Sequence, residues 1–348
     1  MIACDFFCGA GGLTRGMSNA GAKVAFGVDV DKNCRESYEY NNPKSKFIHS
    51  DIWELDFQTV EQHIQSIDRN DLLFSGCAPC QTFSQQRKGK RCNVQGRLLS
   101  AFGEFVEHFL PGQIFVENVP GIARVRGFST LKRFEKLLRD NDYSVCSKVI
   151  DAKKYGVPQN RRRFVLLAMQ GAKVSFPDFT HGKSGVPYNT VRDAISHFPR
   201  IAAGKSHAEV PNHDAAEISP LNLERLRSTP KNGGDRRSWP KHLQLDCHKK
   251  TYQGHTDVYG RMYWDQPSPA LTSKCNSISN GRYGHPTQCR AISLREAASL
   301  QTFPQDYVFH GFNLQIARQI GNAVPVLMAE VITKHLMKLR RKAKRNAA

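Results

Sequence analysis

The N-terminal stretch Met1-Ile-Ala-Cys-Asp-Phe-Phe-Cys-Gly-Ala-Gly-Gly12 predicts the architecture of the chain. An apolar run, Ile2–Cys8, ends in the glycine turn Gly9-Ala-Gly-Gly12, and Thr14–Ala20 has the character of a helix. A strand, a glycine turn and a helix in this order are typical of an open α/β sheet whose first turn binds a nucleotide or an adenosyl group. The GxGxxG pattern fails at Thr14, so a tight strand–helix turn without a ligand is the alternative.

Acidic residues follow the next two predicted strands. Val24–Val28 predicts a strand that ends at Asp29, about 20 residues after the first glycine, where an acid binds the ribose of a nucleoside laid over the sheet edge. Phe47-Ile-His-Ser50 predicts a third short strand, and Asp51 follows it. A single acid after a strand is usually the N-cap of a helix. Two acids at successive strand ends favour a shared ligand instead.

A thiol follows the fourth predicted strand. The apolar run Asp71-Leu-Leu-Phe74 leads into Ser75-Gly-Cys-Ala-Pro-Cys-Gln-Thr-Phe-Ser84, and basic residues follow at 87, 88, 90 and 91. Cys80 therefore stands just past a strand end, behind a proline that restricts the backbone and near cations that lower a thiol pKa. These features predict a nucleophile. Cys77-x-x-Cys80 also matches half of a zinc site or a redox pair, and a lone cysteine is commonly an inert core residue.

A carboxyl group and three arginines extend the same sheet edge. Gln113-Ile-Phe-Val116 predicts a strand that delivers Glu117-Asn-Val-Pro120 at its end. Ser144–Ile150 and Phe164–Met169 predict two more strands, and Gly156-Val-Pro-Gln-Asn-Arg-Arg-Arg163 lies between them. Consecutive arginines are commonly a solvated face, but at a strand start they equally fit a phosphate or substrate contact.

The composition indicates a globular protein with a polyanionic partner. The chain has 348 residues, is 40% hydrophobic and 23% charged, and carries a formal charge of +19. Residues 1–75 hold 7 basic and 11 acidic side chains, so the positive excess lies in the rest of the chain. The ten cysteines follow no regular spacing, which is typical of a reducing compartment. Without a signal peptide, or an apolar run near the roughly 18 residues of a membrane span, the sequence predicts a soluble cytoplasmic protein.

The character of the sequence changes after the last predicted strand. Residues 171–290 are rich in Pro, Gly, His, Asn and Ser. Within them, Lys231–Tyr252 mixes cations with aromatic residues, which fits a nucleic-acid surface or an ordinary basic loop region. Ser293-Leu-Arg-Glu296 is a capping-box sequence that opens a helix. Gly321-Asn-Ala-Val-Pro325 is predicted to start the last helix, and the basic tail Lys338–Arg345 is predicted to fray.

Taken together, these stretches resemble the cytosine-5 DNA methyltransferases of bacterial restriction–modification systems. The resemblance covers residues 2–169 and about 255–335, in the family's order. Each motif is modest alone, but six in order are specific. Cys77-Ala78 departs from the family's more usual glycine–proline or similar pair. The motifs that carry the resemblance are Asp5–Gly12, Pro79-Cys-Gln81 with Phe83-Ser84, Glu117-Asn-Val119, Gln159-x-Arg-x-Arg163, Arg290–Phe303 and Gly321–Val324.

The resemblance implies an α/β fold of the S-adenosylmethionine-dependent methyltransferase type. Its sheet would be mostly parallel, with helices on both faces and a smaller target-recognition domain beside it. The implied domains are a catalytic domain over residues 1–170, a target-recognition domain over 171–290, and a segment over 291–348 that returns to the catalytic domain. The final helix would pack beside the first motif.

The resemblance also implies roles for individual residues. Cys80 would attack the cytosine ring, Glu117 would hydrogen-bond its nitrogen 3, and Asn118 would hold the loop. Arg161 and Arg163 would contact the cytosine oxygen or a nearby phosphate. The residues implied in cofactor binding are Phe7 at the adenine, Gly9, Gly11, Gly12, Asp29 at the ribose, Asp51 at the adenine amino group, Ile52, Pro79, Asn322 and Ala323; DNA contacts are expected from Gln81, Ser84, Arg236 and Arg237.

The implied function is sequence-specific methylation of carbon 5 of a flipped-out cytosine in double-stranded DNA, through a covalent Cys80 adduct (EC 2.1.1.37). S-adenosyl-L-methionine would be the methyl donor and S-adenosyl-L-homocysteine the product, with no metal. The expected partners are duplex DNA and a cognate restriction endonuclease encoded nearby. The expected state is a monomer in a bacterial cytoplasm, held at the nucleoid by DNA and not bound to a membrane. The alternatives are an RNA cytosine-5 methyltransferase that uses the same loop and an inactive DNA-binding regulator.

Overall fold

The structure is a computed structural model, and it describes residues 1–65, 67–78, 94–124, 130–182, 185–246 and 257–347. The chain divides into two compact units. The first comprises Met1–Asp151, Arg162–Phe179 and Val324–Ala348, and the second comprises Ala152–Arg161 and Thr180–Ala323. These units differ from the expected domains 1–170, 171–290 and 291–348, because residues 152–161 and 291–323 belong to the second unit and residues 171–179 to the first.

A seven-stranded sheet forms the centre of the first unit, with strand order β3-β2-β1-β4-β5-β8-β6. The first five strands pair in parallel, and β8 alone runs antiparallel to its neighbours β5 and β6. The prediction of a mostly parallel α/β sheet is therefore confirmed. The strands are β1 Ile2–Phe6, β2 Lys23–Asp29, β3 Lys46–His49, β4 Leu72–Gly76, β5 Gln113–Asn118, β6 Tyr143–Asp151 and β8 Arg162–Gln170.

Helices connect these strands and cover the sheet. Right-handed crossovers place helices on one face while the strands progress from β1 to β3, and on the other face once they turn back to β4 and β5. Phe6, Phe26 and Phe74 point into one buried cluster with residues of three of the helices, and Asp5 points to the opposite face. The helices of this unit are α1 Gly12–Asn19, α2 Arg35–Asn41, α3 Phe57–Ile64, α4 Val94–Phe109 and α5 Thr130–Asp140.

The last helix of the chain packs against α1. It covers Val326–Ala347 and is named α10 here. A Cβ atom placed on Gly16 would lie 2.5 Å from the Cβ of Ala329 and 2.6 Å from the carbonyl oxygen of Val326. Only glycine allows the two helices to come this close, so the backbone of α1 at Gly16 packs directly against α10.

The second unit contains short elements joined by long irregular segments. Its strands β7 Gln159–Asn160 and β9 Ser268–Pro269 form a two-stranded parallel pair. The predicted capping box is confirmed, since Ser293 Oγ accepts from Glu296 N and a Glu296 carboxylate oxygen accepts from Ser293 N. The helices are α6 Val191–Ile195, α7 Pro220–Arg227, α8 Leu294–Leu300 and α9 Asn313–Asn322.

Two expectations about the C-terminal part of the chain are wrong. Gly321 and Asn322 end α9, and the last helix begins after Pro325, at Val326. The basic tail does not fray but continues α10 to Ala347. Lys344 Nζ lies 2.6 Å from an Asp71 carboxylate oxygen, which ties the end of the helix to the body of the first unit. Among the residues that the structure describes, no helix is long and apolar enough to cross a membrane.

Candidate active site

The candidate site lies at the carboxyl ends of β1 and β4, where the strand order changes direction. The sheet grows from β1 towards β3 on one side and from β4 towards β5 on the other, so two loops diverge from adjacent strands. Phe6 pairs with Gly76, and Cys77 N donates to Phe6 O at 3.2 Å. The glycine turn after β1 and the loop that leads to Cys80 therefore start side by side. Ligands of open α/β sheets bind at such a switch point.

The glycine turn has the backbone conformation that its sequence indicates. Gly9 and Gly11 have φ values of 52° and 88°, a region that favours glycine. Phe7 shares this region with φ 65°, an unusual conformation for a bulky residue and one found at functional turns. Asp29 supports the turn, because one of its carboxylate oxygens accepts from Gly9 N at 2.8 Å and the other from Asp31 N at 2.8 Å.

The second predicted acid lies at the end of β3. Asp51 is half-buried, and its carboxylate accepts from Trp53 N at 3.1 Å, as in a short turn. Ile52 beside it is buried. The two acids thus end successive neighbouring strands, β2 and β3, as the sequence predicts.

A buried carboxyl group that the sequence analysis did not single out lies beneath the glycine turn. Asp5 is fully buried, and one of its oxygens accepts from the Thr14 hydroxyl at 2.6 Å. Burial raises the pKa of Asp5 to about 7. The Thr14 hydroxyl also lies 3.1 Å from the Tyr38 hydroxyl. Thr14 stands where the GxGxxG pattern has its third glycine, and its hydroxyl makes both of these hydrogen bonds. The signal for this residue in the sequence was an acidic side chain inside the otherwise apolar strand β1.

An ion pair stands at the end of β5. Arg163 Nε lies 2.8 Å from Glu117 Oε1, and both side chains are largely buried. The antiparallel pairing of β5 with β8 creates this contact, because it brings the start of β8 against the end of β5. This contact fixes the orientation of the Glu117 carboxyl group.

Asn118 connects β5 to the nucleophile loop. Its side-chain Nδ2 donates to Ala78 O at 3.1 Å, and its Oδ1 accepts from Val119 N at 2.8 Å. Asn118 is therefore a positioning residue for the chain that enters this loop. Pro79, Cys80, Gln81 and Ser84 lie outside the described residues. The neighbouring Cys77 is described, and burial, with a smaller contribution from the Glu117 carboxylate, raises the pKa of its thiol well above the usual value.

Arg161 does not have the environment expected of a substrate-contacting arginine. Its side chain is buried, with Nη1 donating to Leu271 O at 2.9 Å and Nη2 to Gly321 O and Ala323 O at 3.0 Å each. These partners, like Arg161, belong to the second unit. A guanidinium that is committed to three carbonyl groups holds segments of that unit together. The QxRxR motif thus contains one structural arginine and one, Arg163, at the ion pair with Glu117.

The other predicted residues are placed in the second unit. Asn322 is exposed at the end of α9, and the carbonyl of Ala323 accepts from Arg161. Arg237 is highly exposed and makes a two-pronged ion pair with Asp235, at 2.9 and 2.6 Å. Arg236 begins the same 3₁₀ turn. Among the described residues, no group of three or more His, Cys, Asp or Glu side chains is arranged to hold a metal ion.

The fold and the site define a methyltransferase of the S-adenosylmethionine-dependent α/β class. Residues 1–338 match the sequence model of the C-5 cytosine-specific DNA methylases. The type II methylase M.HgiDII of Herpetosiphon aurantiacus is 38% identical over 95% of this chain and 94% of its own length. The type II methyltransferase M1.HphI of Haemophilus parahaemolyticus is 32% identical over 96% of this chain and 86% of its own length. The chain belongs to the C-5 cytosine-specific DNA methylase family.

Solved structures share the fold. An Escherichia coli prophage protein assigned as a DNA modification methyltransferase superposes with a TM-score of 0.76, at 22% identity, over 97% of this chain and 99% of that one. DNMT2 of Spodoptera frugiperda superposes with a TM-score of 0.63, at 15% identity, over 98% of this chain and 99% of that one.

Proposed function

We propose that this enzyme methylates carbon 5 of a flipped-out cytosine in duplex DNA, with Cys80 as the nucleophile. The observation that carries the proposal is the pairing of Phe6 with Gly76, which starts the glycine turn and the Cys80 loop from adjacent strands. The Glu117–Arg163 ion pair and the bond from Asn118 to Ala78 add a positioned carboxyl group and a held loop. Bisulfite sequencing of a host that expresses the chain tests the activity, and unmodified cytosine throughout would contradict it.

The chemistry requires a thiolate because carbon 5 of cytosine is a weak nucleophile. Addition of the Cys80 sulfur to carbon 6 forms a carbon–sulfur bond and turns the ring into an enamine that is nucleophilic at carbon 5. After methylation, a base removes the proton from carbon 5, and the thiolate leaves from carbon 6. A base stacked in a duplex exposes neither face of its ring, so the cytosine must leave the duplex before carbon 6 can be attacked and carbon 5 methylated.

Glu117 is proposed as the group that neutralises the ring during the addition. Its protonated carboxyl would donate to ring nitrogen 3, which accepts charge as the sulfur adds. Arg163 Nε holds Glu117 in place through the 2.8 Å contact, and Arg163 Nη1 donates a hydrogen bond to Arg162 O. Arg163 is proposed to reach the cytosine oxygen or a phosphate from this position.

The residues around the glycine turn fit S-adenosylmethionine, which supplies the methyl group when bound. The left-handed glycines allow a ligand to approach the backbone, and Asp29, which accepts from Gly9 N in this turn, is proposed to bind the ribose hydroxyls. Phe7, Asp51 and Ile52 are proposed to contact the adenine. Pro79, Asn322 and Ala323 are proposed as further cofactor-binding residues. We propose no metal.

Glu117→Gln is expected to lower the rate of methyl transfer by about 10²–10⁴-fold, because an amide can donate a hydrogen bond but cannot supply a proton. Single-turnover methylation of a target duplex measures the loss. Glu104→Gln, an exposed change on α4, is the matched control and should leave the rate unchanged. A Glu117→Gln rate within threefold of the control would remove Glu117 from the proton-transfer role.

Target choice is proposed to lie in residues 171–262. This segment is basic and lies outside the family's motifs. Asp235 is central to its charged part, because it pairs with Arg237 at 2.6 Å and lies 3.6 Å from Arg282. The Arg237 guanidinium lowers the pKa of Asp235 to about 2, so Asp235 stays charged and keeps Arg237 oriented in solvent.

Arg236→Gln combined with Arg237→Gln is expected to weaken target binding and to reduce the slope of log Kd against log salt by about 1 for each phosphate that is no longer neutralised. If either arginine reads a guanine, discrimination should fall by about 1–3 kcal/mol. Binding titrations over a salt series measure both. Lys23→Gln with Lys32→Gln removes two exposed charges from the acidic first segment as a control. Equal slopes in the two double variants would clear Arg236 and Arg237 of DNA contact.

Duplex DNA is the proposed substrate, with a cognate restriction endonuclease as a functional partner and a monomer as the working state. A bacterial cytoplasmic location, at the nucleoid, would follow from DNA binding. An RNA substrate is the competing function, and side-by-side methylation of duplex DNA and tRNA distinguishes the two. Preferential methylation of tRNA would overturn the proposal. An inactive regulator would methylate neither.

A further inference from the structure

The second half of α10 is the most concentrated positive segment of the described chain. Residues 334–345 contain seven Lys or Arg side chains, and no acidic residue follows Glu330. Asp71 of the acidic first segment faces Arg340 and Lys344, and the active-site chemistry gives no use for the remaining charge. The segment is also helical to its end, so its side chains have fixed positions on a helix surface.

Contacts along α10 place its basic half at the edge of the sheet opposite to the active site. Lys344 Nζ lies 2.6 Å from Asp71, the residue that immediately precedes β4. His335 Nε2 lies 2.9 Å from the carbonyl oxygen of Ser175, which follows β8. A Cβ atom on Gly171, directly after β8, would lie 4.0 Å from Arg340. The start of β4 and the end of β8 mark the edge away from Cys77.

The cations of this helix fall into two groups. Lys334 pairs with Glu330, and Arg340 and Lys344 face Asp71. The others lie at i, i+3, i+4 and i+7, which places them in one stripe along the helix. All four are exposed, and within the part of the chain that the structure describes none has an acidic partner. They border a depression of about 840 Å³ beside Ala20, and we name them the α10 stripe: Lys338, Arg341, Lys342 and Arg345.

The α10 stripe opposes helix stability unless an anion covers it. Like charges spaced i and i+4 repel by a few tenths of a kcal/mol per pair, and the stripe contains two such pairs, Lys338 with Lys342 and Arg341 with Arg345. The stripe extends about 10 Å along the helix axis, a length over which duplex DNA presents about six phosphate charges. Its charge and length thus match a polyanion backbone.

We propose that the α10 stripe binds the phosphate backbone of a second DNA segment, separate from the duplex whose cytosine is methylated. DNA is the polyanion on which this family acts, and a remote stretch of the same polymer is available wherever the enzyme works. Contacts to phosphates carry no base information, so this surface binds without sequence preference. Its effect is to keep the enzyme on DNA between target sites.

The test fills the active site first. The enzyme is linked to a short 5-fluorocytosine target duplex, and a labelled non-target duplex is titrated against the complex over a salt series. The variant combines Lys338→Gln, Arg341→Gln, Lys342→Gln and Arg345→Gln. We expect the wild-type complex to bind the second duplex, and the variant to bind it roughly tenfold or more weakly at low salt, with a slope lower by about 0.9 for each phosphate that the stripe no longer neutralises.

A matched variant controls for net charge. Lys23, Lys32, Lys44 and Lys46 are exposed in the acidic first segment, and their change to Gln removes the same four charges. It should bind the second duplex like the wild type, and both variants should methylate a saturating short duplex at the wild-type rate. Should the fourfold stripe variant melt at a lower temperature, Arg341→Gln with Arg345→Gln is expected to give about half of the slope change.

Three results would overturn the proposal. They are no binding of a second duplex by the wild-type complex, equal losses in the stripe and control variants, and retention of structured RNA in preference to DNA. A failure of the covalent link would instead count against Cys80 as the nucleophile. The titration would then use enzyme saturated with unlinked target duplex, so the two failures remain distinct.

Discussion

The Cys80→Ser enzyme is expected to bind its target duplex and to transfer methyl groups at least about 10³-fold more slowly than the wild type. A serine hydroxyl at neutral pH is a far weaker nucleophile than a thiolate, and removal of a covalent nucleophile typically has effects of this size or larger. Tritium transfer from labelled S-adenosylmethionine measures the rate, and a gel-shift titration measures binding. Methylation near the wild-type rate would show that Cys80 does not attack the ring.

Cys77→Ser is the matched control, because it makes the same replacement of sulfur by oxygen in the other cysteine of the Cys77-x-x-Cys80 sequence. The raised pKa of the Cys77 thiol keeps it protonated and non-nucleophilic, so its loss should leave most of the activity. If both variants also lost a bound metal or a disulfide, the zinc or redox interpretation of the CxxC sequence would be correct.

A trapping experiment identifies the bond that Cys80 forms. Release of the product requires loss of the proton on carbon 5, and fluorine in its place cannot leave as a cation. Duplex DNA with 5-fluorocytosine at the target should therefore stay covalently attached to the enzyme, and only with S-adenosylmethionine present. The adduct should survive denaturing electrophoresis, map to the peptide that contains Cys80, and be absent in Cys80→Ser. An adduct on another residue would refute attack by Cys80.

Arg161→Met is expected to destabilise the second unit by about 3 kcal/mol or more. The substitution preserves much of the side-chain volume but leaves the buried carbonyls of Leu271 and Gly321 without their Arg161 donor, each at a cost of about 1–3 kcal/mol before relaxation. Ala323 O also loses Arg161 but keeps a hydrogen bond from Gln301 Nε2 at 3.3 Å. A unit of this size should melt about 6–12 °C lower as a result. Calorimetry of the whole chain, compared with the wild type, measures the shift.

Arg163→Met, two residues from Arg161, distinguishes an effect on the stability of the second unit from an effect on methyl transfer. Its partner Glu117 lies at the site, so we expect methyl transfer to fall strongly while the melting temperature of the second unit stays close to that of the wild type. The opposite pattern, with an inactive but fully stable Arg161→Met enzyme, would restore Arg161 to the substrate contacts that the QxRxR motif implied.

The sequence predicted the sheet well because its signals are local. Each parallel strand is a short, mostly apolar run that ends in a glycine, an acid or an amide or is followed by one within three residues. These residues identify both the strand and the edge to which it delivers a side chain. Glu117 and Asn118 were found for this reason. The antiparallel β8 could not be oriented from its own residues, since an apolar run has no direction.

Long-range pairing explains what the sequence could not predict. Arg161 and Arg163 are alternate residues of one motif, and only the partners at Leu271, Gly321 and Glu117 separate a structural arginine from one at the site. Similarly, the basic C-terminal tail by itself predicts a frayed helix end. The structure shows that Lys344 contacts Asp71, more than 260 residues earlier in the chain, and the sequence alone gives no sign of this contact. The roles of Pro79, Cys80, Gln81 and Ser84 remain predictions from sequence.

The contact of Gly16 with Ala329 also sets the order in which the protein can be completed on the ribosome. The two residues are separated by more than 300 positions, so at about 5–20 residues per second the groove on α1 waits roughly 15–60 s for its partner helix. During that interval the nascent first unit lacks its last helix, and the entire second unit is made and released before the gap closes. A cell therefore gains a finished first unit only after the whole second unit has been translated.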